Sequence, residues 1–485
     1  MLSQTSVFTK LVRDYMEAAP LTALAGESVR DVVARMRASN ADNVIVVDEG
    51  GCPAGIVTEH DFIQRVDLNA PSPSSIADLM SAPVRTIAEN EYLYHAIAEM
   101  FRHQMRHMPV VDESGCPVGI LQLHAALAVA AAQMTEQIEL LTHYETLAGM
   151  AQTKSAQIKV ATQLLDDAVP APEIQSLITR INNDLYRRIV DVCVRQMQED
   201  GRGPPPVAFD VIVMGSGGRG ESFLYPDQDN GFILADYPDE AHADIDPWFV
   251  ELAAHVTDAL QQVGFPYCNG YVMATNPLWR KTISQWCAQI TQWVGRGAGM
   301  VLRLADIFFD FVPVWGAGDL TAVLRDHVTM TGHKAFFLRE MFKFDEEHEV
   351  ALGLFNRLLI DKQKGPNQGK LNLKLTGTLP LVGGVRIAAL ANRVAHTSTL
   401  QRIHALYENG FLNHDEQDYL RGAFRHITGL LLRQQLRDYN AGRPVGNHVA
   451  IEDMSRRERD MLVDGLRAIK IFRGRLRTEL TGDVF

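Results

Sequence analysis

Apolar positions recur along the chain with two periods, and the period changes at definite places. Residues 29–39 and 94–104 carry helical spacing, and each stretch leads into a short apolar run, 44–47 or 108–111. A glycine-containing turn, a second strand and a second helix follow in both cases. Residues 133–198 read as helix, with Leu140, Leu141, Tyr144 and Leu147 on one stripe and Leu177, Ile181, Leu185 and Ile189 on another. Pro170 and Pro172 break that helix, and Gly201-Arg202-Gly203-Pro204-Pro205-Pro206 marks a linker. Beyond it, 207–214, 231–235 and 271–274 read as strands, and 247–263 as a helix ended by Gly264. Residues 279–294 read as a helix with Trp279, Ile283, Trp286, Ile290 and Trp293 on one core face. The run 307–314 is strongly β in character. After His327 the pattern is helical, over 334–342, 346–360, 385–394, 399–408, 414–437 and 456–478, with Gly383-Gly384 and Asn409-Gly410 as breaks.

The first third is a repeat. Cys52-Pro53-Ala54-Gly55-Ile56-Val57 returns as Cys116-Pro117-Val118-Gly119-Ile120-Leu121, an offset of 119 − 55 = 64. Met16 and Met80 share that offset, as do Asp48 and Asp112. Thr58 and Asp61 follow the first copy, where the second has Gln122 and Ala125. Thr58-Glu59-His60-Asp61 also has the form of a capping box.

Candidate chemistry concentrates in Met214-Gly215-Ser216-Gly217-Gly218-Arg219-Gly220-Glu221 and Pro226-Asp227-Gln228-Asp229-Asn230-Gly231. In an extended segment Asp227 and Asp229 would share one face, about 7 Å apart. Paired carboxylates repel unless cations join them, and hard divalent cations prefer oxygen ligands. The glycines permit a tight turn whose N–H groups can hold phosphate. Gly215, Gly217 and Gly220 also spell a dinucleotide fingerprint, but barely one helical turn separates them from Pro226, too short for that unit. A Walker loop is excluded because no Lys-Ser or Lys-Thr follows. Asp310 stands alone among Phe308, Phe309 and Phe311, so it needs a metal, a donor or solvent. Arg280 and Lys281 either face a triphosphate or are solvated. Asn413-His414-Asp415 starts a helix and has no partner His and Asp for a phosphohydrolase site.

The spacing Gly-Ser-x-x-Arg-x-Glu, then Asp-x-Asp, resembles nucleotidyltransferases related to PII-uridylyltransferase and glutamine-synthetase adenylyltransferase. More closely, the chain resembles bacterial members that carry an N-terminal pair of cystathionine-β-synthase (CBS) repeats and a C-terminal substrate-binding helical domain. Ile181 to Arg188, Cys268 to Ala274, Asn276 to Arg280, Ile307 to Phe311 and Arg386 to Arg402 support the likeness. It implies a multidomain α+β chain: a CBS pair (1–133), a helical connector (134–206), an α/β nucleotidyltransferase core with a mixed sheet (207–330) and a helical domain (331–485). It further implies transfer of an NMP from an NTP to an acceptor hydroxyl of a protein or small molecule. Asp227, Asp229 and Asp310 would hold Mg²⁺ or Mn²⁺, and Gly215, Ser216, Arg219 and Glu221 would bind the nucleotide. Lys370, Lys374, Arg386, Thr397 and Arg402 match recurring polar positions of the helical domain. Thr58 and Asp61 would hold an adenine nucleotide at the CBS pair, which also implies a homodimer. A regulator that binds nucleotide without transferring it is the alternative.

Composition narrows this further. The 485 residues carry a formal charge of −13, so no basic field for nucleic acid exists. The five scattered cysteines show no zinc or C-x-x-C spacing, which suits a reduced cytoplasmic protein. No secretory leader pattern opens the chain, and no apolar run is long enough to span a bilayer, so no membrane partner is expected.

Overall fold

The computed structural model describes residues 10–39, 41–58, 61–62, 75–103, 105–123, 126, 146–166, 169–296, 307–362 and 365–482. The chain divides into two compact units, Met1–Tyr144 and Glu145–Phe485. The expected boundary at 133/134, Ala125, and the stripe Leu140, Leu141, Tyr144 lie outside the described residues.

The first unit contains β1 (Glu17–Ala18), β2 (Thr22–Leu24), α1 (Val29–Ser39), β3 (Asn43–Val47), β4 (Pro53–Thr58), β5 (Ile87–Ala88), α2 (Leu93–Arg102), β6 (His107–Val111) and β7 (Pro117–Gln122). β2 runs parallel to β3, which is antiparallel to β4; β5, β6 and β7 repeat that order. The shared-offset residues explain how the copies interlock. A Cβ at Gly119 would lie 2.5 Å from the Met16 sulfur, and one at Gly55 2.6 Å from the Met80 sulfur. Each copy's leading methionine thus fills the space over the other copy's glycine. β1 extends the second copy's sheet beside β7, and Ser81 bridges Ile56 in the first. Asp48 and Asp112 each close a turn, accepting N–H bonds from Cys52 and Cys116 at 2.9 Å.

The second unit opens with α3 (Leu147–Asp166) and α4 (Ala171–Glu199). Pro172 sits in the first turn of α4, where a missing N–H costs nothing. Then come β8 (Phe209–Val213), α5 (Gly215–Arg219), β9 (Asn230–Leu234), α6 (His242–Val263), β10 (Arg280–Thr282), α7 (Ile283–Arg296) and β11 (Val312–Trp315). They are followed by α8 (Asp319–Thr331), α9 (Ala335–Asp345), β12 (Lys370–Asn372), a π-helical turn (Lys374–Thr378), α10 (Leu379–Ala391), α11 (Thr399–Glu408), α12 (His414–Asn440), β13 (His448–Ala450) and α13 (Arg456–Thr481). The sheet order is β10-β9-β8-β11, parallel between β10 and β9 and antiparallel elsewhere. The chain is therefore a mixed α/β protein, as the pattern predicts. Trp279, Trp286 and Trp293 are buried around Phe308, whose ring centroid lies 4.9 Å from that of Trp286.

Several stretches differ from expectation. Residues 271–274 form a turn rather than a strand, and β10 follows instead at 280–282. Residues 346–360 hold only the short turn Leu354–Asn356, where Phe355 and Asn356 take positive φ and leave the helical region. Gly383 and Gly384 lie inside α10 instead of breaking it. A Cβ at Gly383 would overlap the Asp345 carboxylate, and Arg473 binds that carboxylate, so the glycine admits a buried ion pair.

Lys154 ties α3 to the core. Its buried Nζ donates to Asn182 Oδ1 (2.8 Å), Leu224 O (3.2 Å) and Gln157 Oε1 (3.3 Å), 4.5 Å from the Phe265 ring centroid. Burial lowers its pKa to about 7. The unfolded lysine titrates near about 10.4, so between the two values the unfolded chain binds the proton more tightly. The folded-state penalty is full below pH 7 and fades as pH rises toward 10. Stability relative to Lys154→Met should therefore rise over that window by up to about 1.4 kcal/mol per pH unit. Denaturation curves at several pH values measure it, and a constant difference would refute it.

Candidate active site

The site forms where β8 gives way to α5. Met214 N donates to Asp229 O at 2.9 Å, so the glycine turn and the acidic pair are tied together. Gly215 takes φ +60°, and a Cβ there would lie 3.0 Å from Asp229 Oδ2. A Cβ at Gly218 would overlap the Asp310 carbonyl oxygen. Gly218→Ala should therefore lower Tm by several degrees, as expected when overpacking costs about 1–3 kcal/mol; an unchanged melt would contradict this packing.

Asp227 and Asp229 are not extended. Asp229 N donates to Asp227 O at 3.1 Å, a turn that begins just before β9. Gln228 points the other way, its Nε2 held by Phe265 O (2.9 Å) and Thr257 O (3.0 Å). The two carboxylates therefore line one cavity of about 300 Å³, with Ser216, Arg219, Glu221 and Lys374. Asp227 is exposed and Asp229 half-buried. Burial raises Asp229 to about 6; the Cys268 thiol lowers it through a hydrogen bond and the Asp227 charge raises it. Burial also raises Asp227, opposed by Lys374. Cys268 is itself pushed up to about 11 by burial and Asp229, and so stays a thiol. Two adjacent oxygen donors that disfavour each other's charge are a fitting seat for a hard divalent cation.

Asp310 is placed differently from the expectation of a third metal ligand. It lies in a bend ahead of β11, not on a strand, and is fully buried. Its Oδ2 accepts from Arg219 Nη1 and Arg386 Nη2, both at 2.7 Å, and its Oδ1 is 2.6 Å from Arg402 Nη1. Three guanidinium groups surround the carboxylate, Oδ2 hydrogen-bonded to Arg219 and Arg386 and Oδ1 ion-paired with Arg402 without hydrogen-bond geometry, an arrangement that suits a structural hub. Glu221 is engaged internally while lining the cavity: Oε2 accepts from Arg219 Nε at 2.7 Å and Oε1 from Thr399 N at 2.7 Å, at the start of α11. Arg219 thus spends two of its donors internally while still lining the cavity. Arg325 adds a part-buried guanidinium beside Asp310, bonded to Phe309 O (3.0 Å) and Phe311 O. Burial lowers its pKa to about 10, with Arg402 adding to the shift. Arg280 faces inward, toward Ala274 O (2.7 Å) and Asp246, rather than toward phosphate.

Sequence reading set Lys374 among the polar helical-domain positions without placing it. The structure puts it on the cavity wall, within electrostatic reach of both acidic residues. Lys374 opens a π-helical turn, a form enriched at functional sites that no local sequence pattern announces. Cys268 was legible only as part of a resembling segment. In the first unit Asp61 Oδ2 accepts from Thr58 N (2.8 Å) and Thr58 Oγ1 (2.7 Å), the local cap that the spacing allowed.

The model for the family described as "Putative nucleotidyltransferase DUF294" matches residues 155–299. Its companion, "Putative nucleotidyltransferase substrate binding domain", matches 335–480, and CBS domain models match 12–67 and 76–131. The chain belongs to this nucleotidyltransferase family. The family match begins within α3, inside the stretch expected as a helical connector. Among curated proteins, an uncharacterized protein of Methanopyrus kandleri is 30% identical over 111 residues, 22% of this chain and 57% of that one. A carnitine transport ATP-binding protein of Listeria monocytogenes is 26% identical over 110 residues, 23% of this chain and 27% of the relative. The chain thus spans less than two thirds of either relative. Among solved structures, a CBS domain pair in complex with 5-methylthioadenosine and S-adenosyl-L-methionine is 27% identical, covering 25% of this chain and 94% of that one (TM-score 0.23). An uncharacterized conserved protein of Pyrococcus horikoshii is 23% identical, covering 26% and 95% (TM-score 0.24). No helix among the described residues is long and apolar enough to cross a membrane.

Proposed function

We propose that this nucleotidyltransferase moves an NMP from an NTP to an acceptor hydroxyl, releasing pyrophosphate, with Mg²⁺ or Mn²⁺ held by Asp227 and Asp229. The observation that carries the reading is the pairing of these carboxylates on one wall of a cavity that also holds Ser216, Arg219 and Lys374. Bound divalent cations would neutralise the triphosphate and stabilise the attacking and leaving oxygens. Ser216 and the backbone of Gly215 orient the outer phosphates. Lys374 and the free edge of Arg219 supply positive charge to the same groups. Glu221 and Asp310 hold Arg219 still, so its donors are pre-organised. The acceptor, a small molecule or a protein as in PII uridylylation, enters where Asp227 is exposed. We assign the first unit to control: an adenine nucleotide at its CBS pair changes the transfer rate, and CBS pairing makes the protein a homodimer in the cytoplasm.

Incubation with Mg²⁺, each α-labelled NTP and a lysate of the host tests transfer. Label moving to an acceptor with release of pyrophosphate supports it; nucleotide binding without release supports the sensing alternative. For control, AMP, ADP and ATP titrated against the full chain should change NTP affinity about 5–150-fold, and NTP should change the regulator's affinity by the same factor. No effect of any of the three on binding or rate would remove the sensing role.

A further inference from the structure

The cavity beside Asp227 is lined by groups of two kinds. The acidic pair, Ser216, Arg219, Glu221 and Lys374 are charged or polar, whereas Phe223, Leu379, Val382, Phe424, Gln175 and Thr428 carry no charge. We infer that this uncharged lining seats the base of the NTP, with Gln175 and Thr428 reading it; this rests on the transferase reading above.

Gln175, on α4, is 1% exposed, and its Nε2 donates to Glu221 O at 2.9 Å. That bond fixes the amide, because the reversed orientation would set oxygen against oxygen. Its Oε1 has no hydrogen-bond partner. Thr428, on α12, is fully buried, and its Oγ1 is also unpartnered. A helical threonine normally bonds the carbonyl one turn back; Thr428 does not. Buried polar atoms are almost always paired, so two orphans on residues that line one cavity point to a ligand that completes them.

The chemistry selects that ligand. Gln175 Oε1 accepts only, so it needs an N–H or O–H and would repel a phosphate oxygen. The Thr428 hydroxyl can donate or accept. Phe223 and Phe424 offer aromatic surface to a flat ring. Glu221, the nearby carboxylate, is consumed by Arg219 and Thr399. A volume of about 300 Å³ is at the small end for ligand pockets, roughly 300–1,000 Å³. A nucleobase has the donor-bearing edge and the apolar faces together, and the charged lining then receives its phosphates.

The test uses the full chain with Mg²⁺ and the α,β-methylene analogues of ATP, GTP, CTP and UTP, with inorganic tripolyphosphate as control, by calorimetry. Wild type should prefer one base. Gln175→Leu and Thr428→Val should each weaken that analogue about tenfold and narrow the spread among the four. Thr428→Ser, which keeps the hydroxyl, should retain the preference, and tripolyphosphate affinity should not change in any variant. Unchanged analogue affinities in both variants would overturn the inference and give this lining to a small neutral acceptor. Parallel loss of tripolyphosphate would overturn it as damage to the phosphate side. If wild type binds none of the analogues, the transferase reading falls with it.

Discussion

Asp229→Ala and Asp227→Ala should each lower transfer by roughly 10³-fold or more, since a lost metal ligand removes several kcal/mol of transition-state stabilisation. The same changes should leave the metal-free protein at least as stable as wild type. The sign follows from the raised carboxylate. Asp229 titrates at about 6 in the folded chain and near about 3.9 unfolded. The folded state therefore binds the proton more tightly across that interval, and stability falls as pH rises through it. At pH 7 the ionised, half-buried Asp229 costs on the order of 2–3 kcal/mol, which Asp229→Ala or Asp229→Asn relieves. Adding Mg²⁺ should reverse the order, raising the Tm of wild type and not of the variants. Thermal melts with and without Mg²⁺ check this; equal Mg²⁺ shifts in all three proteins would contradict it.

Asp310→Ala should behave in the opposite way and lose stability strongly. Removing this fully buried carboxylate leaves Arg219, Arg386 and Arg402 without their shared anion. Breaking a buried ion pair from one side typically costs about 3–5 kcal/mol, and three guanidinium groups share this partner. Arg386 shows the strain most plainly: burial, with Arg219 and Arg402 beside it, works against its charge. Tm and soluble yield, with and without Mg²⁺, are the measurements. A variant that melts like wild type without metal but loses the Mg²⁺ shift would return Asp310 to the ligand role that family resemblance implied.

The contrast between these acids marks how far the sequence carries the reading. Asp227 and Asp229 are adjacent, so their pairing was legible from spacing alone, although the local backbone is a turn rather than an extended strand. Asp310 was legible only as an acid needing a partner. Its partners come from 91, 76 and 92 positions away (310 − 219, 386 − 310, 402 − 310), and no local pattern announces them. Gln175 and Thr428 were invisible for the same reason, lying on separate helices within apolar stripes. Repetition was the clearest fold signal: the 64-residue offset makes β6 the counterpart of β3 and β7 the counterpart of β4, with β3 and β4 in one sheet and β6 and β7 in another. Periodicity misled at 346–360, where apolar Leu354 and Phe355 are 85% and 100% exposed and serve no core. It also misled at Gly383-Gly384, where close packing against Asp345 decides the residue, not chain reversal.

Pyrophosphate release from each NTP, in Mg²⁺ with the host lysate as acceptor source, tests the central claim most directly when wild type, Asp227→Ala and Asp229→Ala are run together. The account predicts release by wild type, dependent on the divalent cation, and none above background by either variant. Release at the wild-type rate by both variants would contradict it, because the paired carboxylates would then not be the seat of the chemistry.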